Sequence, residues 1–171
     1  DGCIDASEDT DDDNDGVPDS NDLCTPGPNG WKLGWTSIPE TDHDGDGCLD
    51  YFEDLDDDND GVEDDYPDNC KYGMVDWISD AITDPDGDGC HNDEDDDDDG
   101  DGFQDDFDRC PQGETGWFST AELDADRDGC LDSSEDLDDD NDGVDDLLDE
   151  CSDTPAGEMV DSEGCGIWTQ Q

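Results

Sequence analysis

The chain has 171 residues, of which 61 are Asp or Glu and 4 are Lys or Arg, and its formal net charge is −57. Only 27% of the residues are hydrophobic, so little apolar surface is available to offset the entropy lost on ordering. No run of about 18 apolar residues predicts a membrane span, and the lack of a basic patch argues against nucleic acid as a partner. Cations are the partners that this charge favours.

Short acidic motifs recur along the chain from its first residue. In each, aspartates stand at alternate positions and a glycine follows, as in DHDGDG from Asp42 to Gly47. Calcium takes six to eight oxygen ligands, and a twelve-residue loop supplies them from positions 1, 3, 5, 7, 9 and 12, with glycine at position 6 and a backbone carbonyl at position 7. Eight such motifs in phase with the cysteines predict calcium loops. Magnesium, which keeps more of its water, fits less well.

The loops are grouped in four repeats, which we place at residues 1–41, 42–83, 84–123 and 124–171. Each repeat has a first loop ending in Gly-Cys, a short acidic link, a second loop, a cysteine and a segment carrying tryptophan. Repeat 1 is truncated, because Asp1 aligns with position 5 of its first loop. Trp35, Trp77 and Trp117 share the pattern Trp-x-Ser-x-x-x-x-Asp, and the surrounding Pro, Gly and Thr predict turns.

The first loops supply one set of candidate ligands, in which each cysteine contributes its carbonyl. These candidates are Asp1, Cys3, Asp5 and Glu8 in repeat 1, Asp42, Asp44, Asp46, Cys48, Asp50 and Glu53 in repeat 2, Asp84, Asp86, Asp88, Cys90, Asn92 and Asp95 in repeat 3, and Asp124, Asp126, Asp128, Cys130, Asp132 and Glu135 in repeat 4. In repeat 3, either Glu94 or Asp95 could close the loop. Further ions could bind through linking residues that bridge adjacent loops, namely Asp9, Asp54, Asp96 and Asp136.

The second loops close with aspartate and use the carbonyl of an apolar residue at position 7. Their candidate ligands are Asp11, Asp13, Asp15, Val17, Asp19 and Asp22, then Asp56, Asp58, Asp60, Val62, Asp64 and Asp68, then Asp97, Asp99, Asp101, Phe103, Asp105 and Asp108, and last Asp138, Asp140, Asp142, Val144, Asp146 and Asp149. In repeat 2, one inserted residue puts Pro67 at position 12, so we expect Asp68 to close the loop. An EF-hand needs flanking helices, and only two residues separate Glu53 from Asp56, so no helix fits.

Nine cysteines recur along the chain, and the first eight are spaced 20 to 24 residues apart. Regular cysteines in a chain with a poor core are typical of a disulfide framework in an oxidising compartment. The chain lacks the CxxC and His/Cys clusters that zinc favours. We therefore expect an extracellular or cell-surface protein.

The pattern resembles thrombospondin type 3 repeats, which alternate a loop ending near Asp-Gly-x-Cys-x-Asp with one ending in Asp-x-x-Asp-x-Cys, often before proline. The matching stretches are DGDGCLD at 44–50 and DGFQDDFDRCP at 101–111, and nearly the whole chain is covered. The tail at 149–165 is similar to segments that close such arrays in prokaryotic secreted and outer-membrane proteins. The long tryptophan segments are closer to microbial multi-repeat surface proteins. The resemblance implies a mostly irregular fold with little regular secondary structure, an elongated array wound around calcium ions and stapled by disulfides.

The family pairing, carried over to this chain, joins successive cysteines across each tryptophan segment. It implies Cys24–Cys48, Cys70–Cys90, Cys110–Cys130 and Cys151–Cys165, with Cys3 left over. A rival register remains open, namely Cys3–Cys24, Cys48–Cys70, Cys90–Cys110 and Cys130–Cys151.

The expected role is that of an extracellular structural segment, such as a stalk, spacer or filament, with calcium as its cofactor. We find no nucleophile–base set that would indicate an enzyme. A neighbouring copy of the chain could complete the loop before Asp1 and pair with Cys3. The alternatives are an acidic protein that buffers calcium or nucleates mineral, and an adhesin. His43 and His91 stand at non-ligand positions and are expected to be exposed.

Overall fold

The computed structural model describes residues 9–25, 34–65, 68–155 and 157–167. Over these ranges the backbone forms turns and bends without any helix, and its one extended pairing is an isolated antiparallel bridge between Val160 and Gly166. The prediction of a mostly irregular fold is therefore confirmed. Among the same residues, there is no helix that could cross a membrane.

The chain divides into two compact bodies, Asp1–Glu94 and Asp95–Gln171. The first body contains the disulfides Cys24–Cys48 and Cys70–Cys90, and the second contains Cys110–Cys130 and Cys151–Cys165. These are the four pairs that the resemblance implied, and the rival register is wrong. Cys3 lies outside the described residues.

The interior consists of carboxylates and disulfides instead of apolar side chains. Among the described residues, the buried apolar side chains are those of Cys48, Cys90 and Cys130, while Tyr51 is 92% exposed and Leu147 95% exposed. The buried polar residues are Asp13, Asp15, Asp22, Asp42, Asp57, Asp58, Asp60, Asp84, Asp98, Asp99, Asp101, Asp124, Asp140 and Thr154. Aspartate is almost never fully buried unless it is paired, so a cation is needed to balance the charge of these buried carboxylates.

Each described loop is tied by one main-chain hydrogen bond, from the N–H at position 9 to the carbonyl of the residue before position 1. In the second loop of repeat 2, for example, Asp64 N–H donates to the Leu55 carbonyl at 2.9 Å. The other pairs are Asp19–Thr10, Asp50–Thr41, Asn92–Thr83, Asp105–Asp96, Asp132–Leu123 and Asp146–Leu137. Seven loops that begin at the predicted positions therefore share one backbone geometry.

The residue at position 4 of each described loop adopts the left-handed backbone conformation. This conformation explains which residue types stand at that position. Asn14, Asn59 and Asn141 have φ values of 63°, 60° and 54°, and asparagine tolerates this region better than most residues. Gly45, Gly87 and Gly100 stand at the same position in other loops. Arg127, with a φ of 65°, is the one larger side chain among the described loops at this position.

The serine of the tryptophan motif connects two consecutive loops. Ser79 N–H donates to the Asp60 carbonyl at 2.8 Å, and its hydroxyl donates to Asp84 Oδ2 at 2.6 Å. Ser37 and Ser119 make the same two bonds in their repeats. The fixed spacing from serine to the next aspartate is therefore a structural requirement of the connection.

Trp35, Trp77 and Trp117 are half-buried. Trp77 Nε1–H donates to the Met74 carbonyl at 2.6 Å, and the ring packs edge-on against His91 with centroids 4.9 Å apart. His43 packs edge-on against Tyr72. Both histidines are half-buried, so the prediction that they are exposed was wrong.

The C-terminal segment copies the start of a first loop but lacks the aspartate at position 1. Glu150 N–H donates to the Glu163 carbonyl at 2.9 Å. The equivalent bond joins Asn69 of repeat 2 to Asp88 of repeat 3. Gly164 and Cys165 then stand at positions 6 and 7, and counting back puts Met159 at position 1. With methionine in place of aspartate, this segment ends the described series of loops without a calcium-binding pattern.

Candidate metal centres

The carboxylate at position 5 of each second loop has one oxygen bonded to the backbone and one oxygen with no partner. Asp60 is fully buried, and its Oδ1 accepts the Val62 N–H at 2.7 Å. Its Oδ2 is buried without a hydrogen-bond donor. The equivalent residues Asp15, Asp101 and Asp142 show the same arrangement. A buried anionic oxygen without a partner is costly, and a cation would satisfy it.

The closing carboxylate of the second loop repeats this arrangement. Asp68 Oδ1 accepts the Cys70 N–H at 2.7 Å, and its Oδ2 is buried without a partner. Asp22 and Asp108 do the same. Asp68 therefore occupies the closing place that the sequence predicted for it, despite the inserted residue.

Positions 1 and 3 are oriented by backbone amides. Asp56 accepts the N–H groups of Asp60 at 3.2 Å and Gly61 at 3.0 Å. Asp58, which is fully buried, accepts the Gly73 N–H at 3.0 Å from the segment beyond Cys70. Each carboxylate oxygen has two lone pairs, so an oxygen bonded to an amide can also bind a metal.

Burial raises the pKa of these carboxyl groups, and neighbouring carboxylates raise it further. The pKa of Asp58 rises to about 7 through burial and then through Asp60, although the Gly73 amide lowers it. Burial likewise raises the pKa of Asp108 to about 7 and that of Asp68 to about 6. The ionised cluster is thus unfavourable by itself, and divalent charge would relieve it.

Carboxylates of single loops are close enough to share one ion. The ligand oxygens of Asp42, Asp44 and Asp46 lie within 4.8 Å of one another, and Asp11, Asp13 and Asp15 form an equal group. Calcium–oxygen distances are about 2.3–2.6 Å, so oxygens at this separation fit around one calcium ion.

The linking aspartate lies at the first loop of its own repeat. Asp54 Oδ1 accepts the Asp56 N–H at 3.1 Å, and its Oδ2 is buried without a partner. Burial raises its pKa to about 6, and the carboxylates of Asp46 and Asp44 add to this. Asp54 also groups with Asp46 and Cys48, but Cys48 Sγ is in a disulfide, so only its carbonyl is free to bind metal.

Equivalent linking residues occur in the other repeats. Asp9 and Asp136 each accept the N–H two residues on and leave Oδ2 buried without a partner. In repeat 3 the bond goes from Asp97 N–H to Asp95 Oδ1 at 3.1 Å. Asp95, rather than Asp96, therefore has the linking position, and the assignment of Asp96 was wrong.

Position 2 of the second loop was missed by the sequence analysis. Asp57 is fully buried, groups with Asp50 and Asp54 within 4.8 Å, and leaves Oδ1 without a partner. Lys71 Nζ lies 3.4 Å from Asp57 Oδ2. The run of three consecutive aspartates that opens each second loop was the available signal, but position 2 of a calcium loop usually has no ligand role.

Asn92 departs from the acidic pattern at position 9 for a local reason. In the other loops, the carboxylate at position 9 accepts the N–H of position 2, as Asp64 does from Asp57 at 2.9 Å. Position 2 of the first loop in repeat 3 is Pro85, which has no N–H. Asn92 Oδ1 is buried without a partner and is free to face an ion. The candidates Asp1, Cys3, Asp5 and Glu8 lie outside the described residues.

No known family model matches the chain. No curated protein is significantly similar to it in sequence.

Proposed function

We propose that this chain is an extracellular structural protein whose fold is stabilised by calcium, in the manner of thrombospondin type 3 repeats. About eight or more ions bind through the first and second loops. The observation that carries this proposal is the set of buried aspartates whose second oxygen has no donor, as at Asp60, Asp68 and Asp101. The four disulfides support a secreted or cell-surface location.

The ligand chemistry favours calcium over other divalent ions. Zinc and copper would favour thiolate and imidazole ligands, but the described cysteines are in disulfides. Magnesium requires near-octahedral geometry and keeps several waters, whereas calcium accepts six to eight oxygens in a flexible arrangement. Loops with carboxylates at five positions fit the flexible coordination of calcium.

The role is structural, because the described residues contain no helix pair that an ion could open or close. A calcium sensor needs such a movable element. Here the loops follow one another almost directly and calcium forms the interior, which suits a stalk, spacer or filament segment. A longer array or a polymer of this chain is the setting in which such a segment would act.

Native mass spectrometry of the oxidised chain, with calcium at about 1 mM, tests this proposal, since extracellular sites bind at roughly 10⁻⁴–10⁻³ M. We expect about eight or more bound ions, which are removed by a chelator. Asp101→Asn should lower the count by one or more, whereas Asp106→Asn, at an exposed position of the same loop, should leave it unchanged. A chain that retains no ions, or equal counts in the two variants, would contradict the proposal.

A further inference from the structure

In repeats 3 and 4, the glutamate at the end of the first loop contacts the backbone that follows the second loop of the preceding repeat. Glu94 Oε1 accepts the Met74 N–H at 2.8 Å. A side chain added at Gly73 would place its Cβ 2.6 Å from Glu94 Oε1 and 3.1 Å from Asp58 Oδ2. Two carboxylates, one from each repeat, therefore meet around the backbone of Gly73.

Repeat 4 contributes the same contact to repeat 3. Glu135 Oε2 accepts the Glu114 N–H at 3.0 Å, and a Cβ at Gly113 would lie 2.6 Å from that oxygen. Gly113 N–H donates to Asp99 Oδ2 at 2.9 Å, as Gly73 does to the equivalent aspartate. The glycine at this place is thus required by the close approach of two carboxylates.

Both carboxylate oxygens of Glu53 in repeat 2 are buried without a hydrogen-bond partner. Burial raises the pKa of Glu53, and the carboxylates of Asp13 and Asp15 in the preceding second loop raise it further. Glu53 and Glu135 stand at position 12 of their loops and Glu94 at position 11, since repeat 3 is one residue shorter between its two loops.

The second loops still hold buried oxygens that need a cation. Asp60 and Asp101 are 0% and 1% exposed, and the Oδ2 of each has no donor. The carboxylate of Glu94 is among the charges that raise the pKa of Asp60.

We propose that this glutamate is a ligand of the second loop in the preceding repeat, and that the linking aspartate, such as Asp54, closes the first loop in its place. The assignment rests on the proposed calcium function and deepens it. Because the second loop then takes a ligand from the next repeat, its calcium affinity depends on the folding of that repeat. Calcium binding is thereby coupled along the chain.

The second loop of repeat 4 differs from those of repeats 2 and 3 at the position of this glycine. In repeat 4 the place of Gly73 and Gly113 is taken by Thr154, whose N–H donates to Asp140 Oδ2 at 2.6 Å. Its hydroxyl donates to the Gly164 carbonyl at 2.8 Å. We therefore expect the loop Asp138–Asp149 to bind calcium without a glutamate from another repeat.

Hydrogen exchange of the full oxidised chain, titrated with calcium, tests the assignment. In Glu94→Gln, we expect the calcium concentration that half-protects residues 56–64 to rise about tenfold, since one charged ligand is lost. Residues 84–92, in the glutamate's own loop, should shift clearly less, because the substitution removes no ligand from that loop and acts on it only through the coupling. Glu135→Gln should act in the same way on residues 97–105. Glu63→Gln is the matched control, because it removes an exposed charge from the affected loop itself.

Three results would overturn the assignment. The first is a shift in residues 84–92 with none in residues 56–64, which would return the glutamate to its own loop. The second is an equal shift in Glu63→Gln, which would indicate a general effect of charge. The third is a wild-type chain without calcium-dependent protection in any loop, which would refute the proposed function and this assignment with it.

Discussion

At the scale of single residues, the fold depends on the short reach of aspartate. The carboxylate at position 5 accepts the N–H two residues on in each of the described loops, for example Asp46 from Cys48 at 2.8 Å. Aspartate forms this local turn readily, since its side chain is short enough to bond its own backbone. One oxygen thus shapes the loop and the other remains for an ion. Glutamate is found instead where a carboxylate must reach another repeat.

Glycine at position 6 provides the first prediction. Gly89 has a φ of 87°, and a Cβ there would lie 2.6 Å from Asp68 Oδ1 and 3.0 Å from the Asp68 backbone. Gly87 has a similar φ of 75° but open space around its Cβ position. We expect Gly87→Ala to cost about 1–2 kcal/mol from the backbone alone. Gly89→Ala should cost clearly more, because it also displaces the closing carboxylate.

Urea unfolding in saturating calcium measures both glycine variants, and each serves as the control for the other. Equal midpoints for Gly87→Ala and Gly89→Ala would show that the contact with Asp68 contributes nothing.

Raised pKa values make the metal-free chain more stable in mild acid. The pKa of Asp58 and of Asp108 is about 7 in the folded chain, against an ordinary value of 3.8. The folded state therefore binds more protons than the unfolded state, and its stability rises as the pH falls from about 7 towards 4. Calcium competes with these protons, so its affinity should fall over the same range.

Hydrogen exchange at about pH 5 and pH 8 tests both predicted pH dependences, that of the stability without metal and that of the calcium affinity. In chelator, we expect stronger protection at pH 5. In a calcium titration, half-protection should require more calcium at pH 5 than at pH 8. A chelated chain that is better protected at pH 8 would contradict the pKa directions.

At the scale of elements, positions 1 to 9 of each loop could be predicted from the sequence. The ligands after position 9 could not be predicted in full. Positions 1 to 9 are local, since the aspartates at alternate positions and the glycine at position 6 shape the chain within one turn. The ligands after position 9 depend on contacts between segments. Alignment with the other loops put Asp68 at the closing position, where it shares the hydrogen bond of Asp22 and Asp108. The sequence offered no means of seeing that Asp57 is buried or that Glu94 contacts the preceding repeat.

The disulfides hold the tryptophan segments, in which we predict no calcium site. The bond Cys110–Cys130 spans a separation of 20 residues, and closing such a loop contributes about 3 kcal/mol in the chain-entropy model. We expect Cys110→Ser/Cys130→Ser to lower the stability of the calcium-loaded chain by about this amount. Urea unfolding in saturating calcium measures the change, with Ser20→Ala, at an exposed position, as a neutral control. An unchanged midpoint would mean that the neighbouring calcium loops alone hold the segment.

At the scale of the whole molecule, the proposed function makes folding and ion binding one process. A chain with a net charge of −57 repels itself, and the interior of the described residues contains mostly carboxylates. Such an interior cannot drive collapse by the hydrophobic effect. We propose that calcium supplies the attraction, as metal does in small domains that unfold when the metal is removed. The disulfides limit how far the chain expands but do not neutralise its charge.

Small-angle scattering of the oxidised chain, with calcium and then with chelator, tests this central claim most directly. Magnesium at the same ionic strength provides the control for simple screening of charge. We predict that the radius of gyration falls when calcium is added, rises again with chelator and changes much less with magnesium. A radius that is the same with calcium and with chelator would show that the fold does not depend on calcium.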